Sequence, residues 1–589
     1  MENINVLLIG INAKYIHSNP AIYSLKAYAD KYYAHASRPR GCRIDIAEYT
    51  INQPYTEIIA DIYVRRPRIA AFSCYIWNWS VVRDILAELP KLLPDTDIWL
   101  GGPEASYNAD RLVGGAVTGV MIGEGEETFT ELLRHYLEGT PDLADIKGLF
   151  INSGFTGERA PTDINRLPFI YDSLVTFKNR IIYYESQRGC PFRCAYCLSS
   201  IDKSVRLRDI ETVKKELQFF LDNNVRQVKF IDRTFNCNAE HALSIWKYLS
   251  GNDNGVTNFH FEIAADLLTD AQLEVMRGMR NGLIQLEIGV QSANPDTLRA
   301  VCRHTDILAL KNNVSVVRGF GNIHQHLDLI AGLPYEDYDT FVSSFNEVYD
   351  MKPNQLQLGF LKVLKGSPME QSAADYGIAY SSNPPYEVLY TKWLGFDDIL
   401  RLKGVEEMVE LYYNSGQFEH TVSVLVSEFD SPFEMYSSLA DYYKKNGFMT
   451  NTPSRAYRYQ ALLDFAVSYA PERKQLYAQL LVFDMYLREN LKSRPAFAAD
   501  AGADKAALRR FYEREAEEHI YLSGYDSFSS AQLARMTHIE EFVYPVWENS
   551  PEKCQSRLSR AAYILFDYEH RDILTNNAAW QIVSIIGCI

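Results

Sequence analysis

The sequence has no run of about 20 apolar residues, the length a membrane-spanning helix needs, so no transmembrane segment is expected. It has no internal repeat and no low-complexity tract, which argues against a solenoid or a disordered chain. The opening residues Met1-Glu2-Asn3-Ile4-Asn5 carry no basic cluster, so no export signal is expected. Positive charge is in deficit: 59 Lys and Arg stand against 75 Asp and Glu, a net charge of -16. That balance argues against a broad nucleic-acid footprint, though not against a local basic groove. Cysteine is scarce as well. There are nine in 589 residues, an odd number with three of them clustered. This usage fits metal binding in a reducing compartment better than a disulfide framework, and a cytoplasmic location is expected. A chain of this length should fold as three or four domains.

What is present centres on Gln187-Arg188-Gly189-Cys190-Pro191-Phe192-Arg193-Cys194-Ala195-Tyr196-Cys197. The spacing is C-x3-C-x2-C. Thiolates are the usual ligands of iron–sulfur clusters, and one short loop can wrap three of them around a cubane. No fourth ligand lies nearby, the next Cys being Cys237 and the next His being His241. Three ligands for four irons leave one iron open to a chelating molecule. Gly189 lets the chain bend into the loop and Pro191 stiffens it. The bland alternative is a zinc knob with Cys237 as a distant fourth ligand, because structural zinc wants four protein ligands.

The motif resembles the signature of the radical SAM superfamily, including the aromatic Tyr196 before the last cysteine. The resemblance implies a 4Fe–4S cluster on Cys190, Cys194 and Cys197 whose open iron binds S-adenosylmethionine. It also implies reductive cleavage to a 5′-deoxyadenosyl radical, with a reductant such as flavodoxin or ferredoxin.

Residues 1–145 alternate short apolar runs with helical stretches. Val6–Ile9, Arg43–Ala47, Ile69–Ser73, Asp97–Leu100 and Gly119–Ile122 read as strands of a doubly wound parallel sheet. Such sheets bind ligands at the carboxyl ends of their strands. The candidates there are Asn12, Ala13, Lys14 and Tyr15; Ser73 and Tyr75; Gly101 and Gly102; and Gly123, Glu124, Gly125 and Glu126. The Gly-Gly-Pro-Glu and Gly-Glu-Gly-Glu segments resemble the cobalamin-binding domain that precedes the core in one large radical SAM subclass. The D-x-H-x-x-G loop that supplies a His to cobalt is absent, which removes the axial-ligand expectation and leaves cobalamin as the implied cofactor. His17, Trp77 and Trp79 could face it, although surface or packing roles are commoner for such residues.

Residues 146–180 read as a bridge. Residues 181–370 then give six strand–helix units: Ile181–Glu185, Gln227–Ile231, Phe259–Ile263, Leu283–Ile288, His324–Leu329 and Gln355–Phe360. This is the pattern of a partial (β/α)6 barrel, whose site collects at the carboxyl ends of the strands. The resemblance assigns contacts with S-adenosylmethionine to Tyr196, Asp232, Thr234, Phe235, Glu262, Glu287 and Gln291, and an adenine border to Ile330–Glu336. Plain alternatives are a helix cap for Asp232 and a buried ion pair for Glu287. His324 and His326 share a strand face as acid/base groups or, more simply, as satisfied core polar residues. Arg303 and His304 are assigned no role.

From 371 to 589 strand signals fade into amphipathic helices such as Ser454–Tyr469 and Ala501–Glu518, and a mostly α-helical domain is expected. It resembles extensions on a group of cobalamin-type radical SAM proteins. The tail Ile582–Ile589 reads as a buried strand or tail, and Cys554 and Cys588 as buried thiols. No second cysteine cluster exists, which argues against methylthio transfer. The expected activity is cobalamin-dependent methyl transfer to an unactivated carbon of a small-molecule or peptide substrate. The alternatives are non-methylating radical chemistry (ring contraction, closure or other rearrangement) with or without cobalamin, the N-terminal domain then being only structural, and a non-catalytic iron–sulfur sensor or binding protein.

Overall fold

The computed structural model describes residues 4–33, 42–498, 504–548 and 550–585. Five parallel strands open the chain: β1 (Asn5–Asn12), β2 (Arg43–Thr50), β3 (Ile69–Ser73), β4 (Asp97–Gly101) and β5 (Gly119–Met121). They lie in the order β2-β1-β3-β4-β5. Val6 to Ile9 in β1 are wholly buried because helices cover both faces. Leu7, Ile9 and Ile11 pack with Ile58, Ile62, Val82 and Ile85 on one side. Val6 and Leu8 pack with Ile22, Ala29, Phe129 and Leu133 on the other. The order reverses between β1 and β3, which opens a crevice above that switch point.

The segment 146–180 is more than a bridge. β6 (Leu149–Ile151) and β7 (Gly154–Phe155) extend the same sheet antiparallel to β5. Leu149 is fully buried with Met121 and Phe129, and that apolar burial draws the segment onto the sheet edge.

β8 (Ile182–Tyr184) starts the second sheet. A short antiparallel ribbon follows, β9 (Gln187–Arg188) with β10 (Arg206–Leu207). Then come β11 (Gln227–Phe230), β12 (Asn258–Ile263), β13 (Ile284–Gln291), β14 (His324–Ala331) and β15 (Gln355–Phe360). The six strands β8, β11, β12, β13, β14 and β15 are parallel and adjacent in chain order, the open (β/α)6 arrangement expected. Alternation separates the two faces. In β13, Ile284, Leu286, Ile288 and Val290 are buried in the core, while Gln285, Glu287, Gly289 and Gln291 are only partly buried. A polar inner face leaves room for ligands at the barrel mouth.

A small hairpin, β16 (Ala379–Tyr380) and β17 (Val388–Tyr390), leads into helices running from Phe396–Val409 to Ser530–Met536. These share one continuous core with the barrel helices, for example through Phe345, Phe433 and Tyr436. Asn414 closes the free edge of β15: its Oδ1 accepts from Leu356 N and its Nδ2 donates to Leu356 O, both at 2.9 Å. The C-terminal region is not helical throughout. β18 (Thr537–Phe542), β19 (Ala562–Arg571) and β20 (Ala578–Val583) form an antiparallel sheet. Its strands alternate weakly and are broken by charged residues, which hides them from periodicity. Cys554 is buried as expected, whereas Cys588 and the tail beyond Ile585 lie outside the described residues. Among the described residues no helix is long and apolar enough to cross a membrane.

Candidate active site

The cysteine loop rises from the β9–β10 ribbon. Gly189 has φ +94°, and a Cβ there would stand 2.2 Å from Ser204 O, so only glycine lets the two arms pass. Cys190 N donates to Asp202 O at 3.1 Å and closes the base of the loop. Ala195 is clamped from both sides: its N donates to Val301 O and its O accepts from Met369 N, each at 2.9 Å. Cys190 and Cys194 are buried, Cys197 is half-buried, and all three are free thiols. Among the described residues no trio of His, Cys, Asp or Glu is gathered as a metal site. A cubane spans more space than one ion and holds its thiolates further apart, so three unpaired thiols on one braced loop fit it without being closed together. Arg303 Nη1 lies 3.7 Å from Cys194 Sγ and 3.4 Å from the Tyr196 hydroxyl, and Arg303 Nη2 donates to Gly289 O. A cation at this point suits thiolate ligands. Burial pushes the Cys190 thiol up, while a hydrogen bond with Thr234, whose Oγ1 is 3.7 Å away, pulls the other way. Coordinated iron would override that balance by deprotonating the thiol outright.

Beside the loop lies a cavity of about 220 Å³ lined by Phe192, Arg233, Thr234, Glu262, Glu287, Gly289, Gln291, Arg303 and Asp328, among others. Gln291 takes φ +73° where the β13–β14 register slips, and its Oε1 is buried with no partner. Such backbone strain is held only where the surroundings impose it. Glu287 Oε2 accepts from Lys229 Nζ at 3.0 Å and lies 2.9 Å from His260 Nε2. Burial opposes its ionisation, but His260 and Lys229 win and hold its pKa at about 2. Glu262 is raised by burial and by the charge of Glu287. Burial also opposes protonation of His326, but Asp328 at 2.7 Å raises its pKa. His324 is pushed down to about 4 by burial and by its His neighbours. Glu262 makes only a 4.0 Å contact to Lys229 Nζ, which leaves its carboxyl available to a hydroxyl-bearing ligand.

A larger cavity of about 820 Å³ separates the N-terminal sheet from the barrel. One wall is the carboxyl ends of β3, β4 and β5: Ser73, Tyr75, Trp77, Gly101, Gly102 and Gly123 through Glu126. The other holds Tyr183, Glu185, Arg188 and Cys197-Leu198-Ser199. Gly102, at φ +94°, is required by the fold, because a Cβ would meet Cys74 O at 2.5 Å. Gly123, at φ +80°, has no atom within 4 Å of where a Cβ would stand, so it leaves open backbone toward the cavity. Tyr75 and Trp77 stack at 4.3 Å and 8°. Open glycine backbone, a flat aromatic pair and largely apolar walls fit a corrinoid. Among the described residues no His lines this cavity, in keeping with the missing D-x-H-x-x-G loop.

The structure brings Thr234, Glu262, Glu287 and Gln291 to one cavity, and Ser73, Tyr75, Gly101, Gly102, Gly123, Glu124, Gly125 and Glu126 to the other. Other candidates fall elsewhere. Asp232 is 1% exposed and accepts from Ser186 N at 3.0 Å, from Ser186 Oγ at 3.2 Å and from Gln187 N, so it braces the stem of the cysteine loop from below. Phe235 is wholly buried among Phe230, Trp246 and Phe261. Tyr196 stands beside Cys194 and Arg303 and lines neither cavity. Asn12, Ala13, Lys14 and Tyr15 line neither cavity. Asn12 Nδ2 donates to His17 O and to Glu48 Oε1, and the chain then turns outward, leaving Tyr15 64% exposed. His17 Nδ1 meets the Tyr183 hydroxyl at 2.6 Å, and Trp79 packs in the core. Lys229 and His260, which both meet Glu287, were missed by the sequence reading, although strand alternation is a signal that could have found them. Arg303 carries no such signal, since its approach depends on the contact between Val301 and Ala195.

A cysteine-loop, open (β/α)6 barrel behind a doubly wound sheet defines a radical SAM core with a corrinoid-type domain, and family models match in that order. The B12 binding domain matches residues 6–133 and the Radical SAM superfamily residues 184–348. The chain thus carries a B12-binding domain followed by a radical SAM domain. Residues 374–566 match the family described as Protein of unknown function (DUF4080). The chain is 24% identical over 344 residues to a 2-(S-pantetheinyl)-carbapenam-3-carboxylate methyltransferase of Streptantibioticus cattleyicolor. It is 24% identical over 345 residues to the cobalamin-dependent radical SAM methyltransferase TokK of Streptomyces tokunonensis. Each match takes in 53% of this chain and 50% of the relative, so the chain spans about half the length of these curated relatives. Its fold is that of the cobalamin-dependent S-adenosylmethionine radical enzyme OxsB, solved with aqua-cobalamin and S-adenosylmethionine. The TM-score is 0.55 at 14% identity, over 83% of this chain and 74% of the other. The radical S-adenosylmethionine methyltransferase TsrM of Kitasatospora setae, solved with cobalamin and a 4Fe–4S cluster, gives 0.52 at 15% identity over 65% and 79%.

Proposed function

We propose that the protein is a cobalamin-dependent radical SAM enzyme that transfers a methyl group to an unactivated carbon. The observation that carries this reading is the position of Cys197-Leu198-Ser199, which form part of the wall of the cavity whose opposite wall is the strand ends of the N-terminal sheet. Cluster chemistry and corrinoid chemistry would thereby share one space, as proximity requires of two groups acting on one carbon. Cys190, Cys194 and Cys197 would hold the cluster. Thr234, Glu262, Glu287 and Gln291 would surround S-adenosylmethionine. Tyr75, Trp77, Gly101, Gly102 and Gly123 through Glu126 would receive the corrinoid. When bound, these groups supply a one-electron route to a carbon radical and a methyl donor. The chain's own work is to position and insulate. Arg303 sets positive charge beside Cys194, Glu287 is kept ionised by Lys229 and His260, and Arg188 locks the two domains around the space. Small-molecule and peptide substrates both remain within this proposal, with a flavodoxin or ferredoxin as reductant.

The test is anaerobic reconstitution with iron, sulfide and hydroxocobalamin, followed by desalting. Iron content, the corrinoid spectrum and 5′-deoxyadenosine formed with dithionite and S-adenosylmethionine are then read. One corrinoid per chain and deoxyadenosine, the latter lost in Cys194→Ala, is the expected result. Deoxyadenosine without retained corrinoid overturns methyl transfer from cobalamin. An intact cluster with neither signal overturns the enzyme reading in favour of a sensor.

A further inference from the structure

The two cavities share one lining residue among those described, Arg233. It follows β11 immediately after Asp232, whose carboxylate is taken up by the Ser186 and Gln187 amides. That anchoring turns the next side chain outward, and Arg233 is exposed on the boundary between the cavities. The other cations on these walls are committed. Arg188 pairs with Glu126 and Glu185, Arg208 with Glu216, and Arg303 with Gly289 O and the Cys194 thiol. Lys365 donates to Asn108. The Arg233 guanidinium has no hydrogen bond or ion pair among the described residues, its carbonyl alone accepting from Thr234 Oγ1 at 2.8 Å, although its charge reaches both walls. Burial raises the pKa of Tyr75 on one side and of Glu262 on the other, and Arg233 opposes the shift in each.

A carbon that meets both a radical generated on the cluster side and a methyl donor on the corrinoid side must lie where the cavities join. A planar guanidinium left free there is a fork for an oxyanion. We propose that Arg233 is a specificity-determining residue that receives a carboxylate or phosphate of the substrate and so sets its reacting carbon at the junction. This rests on the functional reading above and adds the chemical class of the substrate: an anion whose charged group lies close to the carbon modified.

The experiment uses holoenzyme reconstituted with cluster, hydroxocobalamin and S-adenosylmethionine, titrated with malonate, inorganic phosphate or neutral malonamide. The readouts are protection of Arg233 from phenylglyoxal, mapped by peptide mass, and the change in the rate of S-adenosylmethionine cleavage. Malonate or phosphate should protect Arg233 and malonamide should not, the better anion naming the group. Arg233→Gln should weaken the effective anion on the order of 10- to 100-fold, the range for losing a charged hydrogen-bond partner, and Arg233→Lys should recover part of it. Equal protection by malonamide overturns the proposal. So does a loss of S-adenosylmethionine affinity or of corrinoid in Arg233→Gln as large as the loss of anion, which would make Arg233 a cofactor contact. Wild-type protein that cleaves S-adenosylmethionine but retains no corrinoid sinks the functional reading while leaving the anion titration readable.

Discussion

Arg188 Nη2 donates to Glu126 Oε1 at 3.1 Å, joining the strand that enters the cysteine loop to the helix start after β5. The same guanidinium meets Glu185 at 2.8 Å and Glu124 at 3.5 Å. Arg188 and Glu126 keep only 19% and 7% of their side-chain exposure, so solvent screens the pair weakly. Breaking a buried pair from one side leaves uncompensated charge, here Glu126 and Glu185, since Glu124 keeps Arg206 at 2.6 Å. Arg188→Gln should therefore lower stability by about 3–5 kcal/mol in denaturant titration, and Arg188→Gln with Glu126→Gln should lower it by less. Equal loss in both variants would show that the pair does not hold the domains together.

Glu287 predicts an acid response with a defined sign. Its folded pKa, about 2, lies below the ordinary 4.5, so its contribution is present above pH 4.5 and is lost as pH falls from 4.5 toward 2. Glu287→Gln should reduce stability at pH 7 by about 3 kcal/mol and flatten the stability–pH curve across that window. The check is urea denaturation at stepped pH. An unchanged acid limb in the variant would mean that Lys229 and His260 do not stabilise the carboxylate.

Gly189→Ala should depress iron incorporation sharply. Its Cβ would meet Ser204 O at 2.2 Å, on top of a left-handed strain of about 1–2 kcal/mol. Gly255→Ala is the matched control, since Gly255 has φ +75° with nothing within 4 Å of a Cβ. Iron per chain after reconstitution separates them: the first variant falls and the second stays near wild type.

Phe235→Ala should behave as a core truncation, costing about 3–5 kcal/mol. Its ring lies 4.3 Å from Phe261 and 5.2 Å from Trp246, away from both cavities. Thermal unfolding should drop while the S-adenosylmethionine affinity of the folded fraction stays close to wild type. A selective loss of affinity without loss of stability would return Phe235 to the cofactor site.

Local chemistry was readable without coordinates. Three thiols within eight residues must share a neighbourhood because the chain between them is too short to separate them. The barrel strands were readable because a helix-facing side must be apolar, which leaves Lys229, Glu262 and Glu287 to alternate inward. The edge strands at Leu149–Ile151 and the closing antiparallel sheet were not, since marginal strands form only where a neighbour supplies the pairing. Asp232 and Phe235 show the same limit within one tetrapeptide. Their neighbour Arg233 is the residue common to both cavities, while Asp232 is consumed by backbone amides and Phe235 by aromatic packing. Adjacent residues on a strand end diverge by where the strand stops and turns. That depends on long-range contacts such as Ala195 with Val301 and Met369, which sequence spacing does not encode.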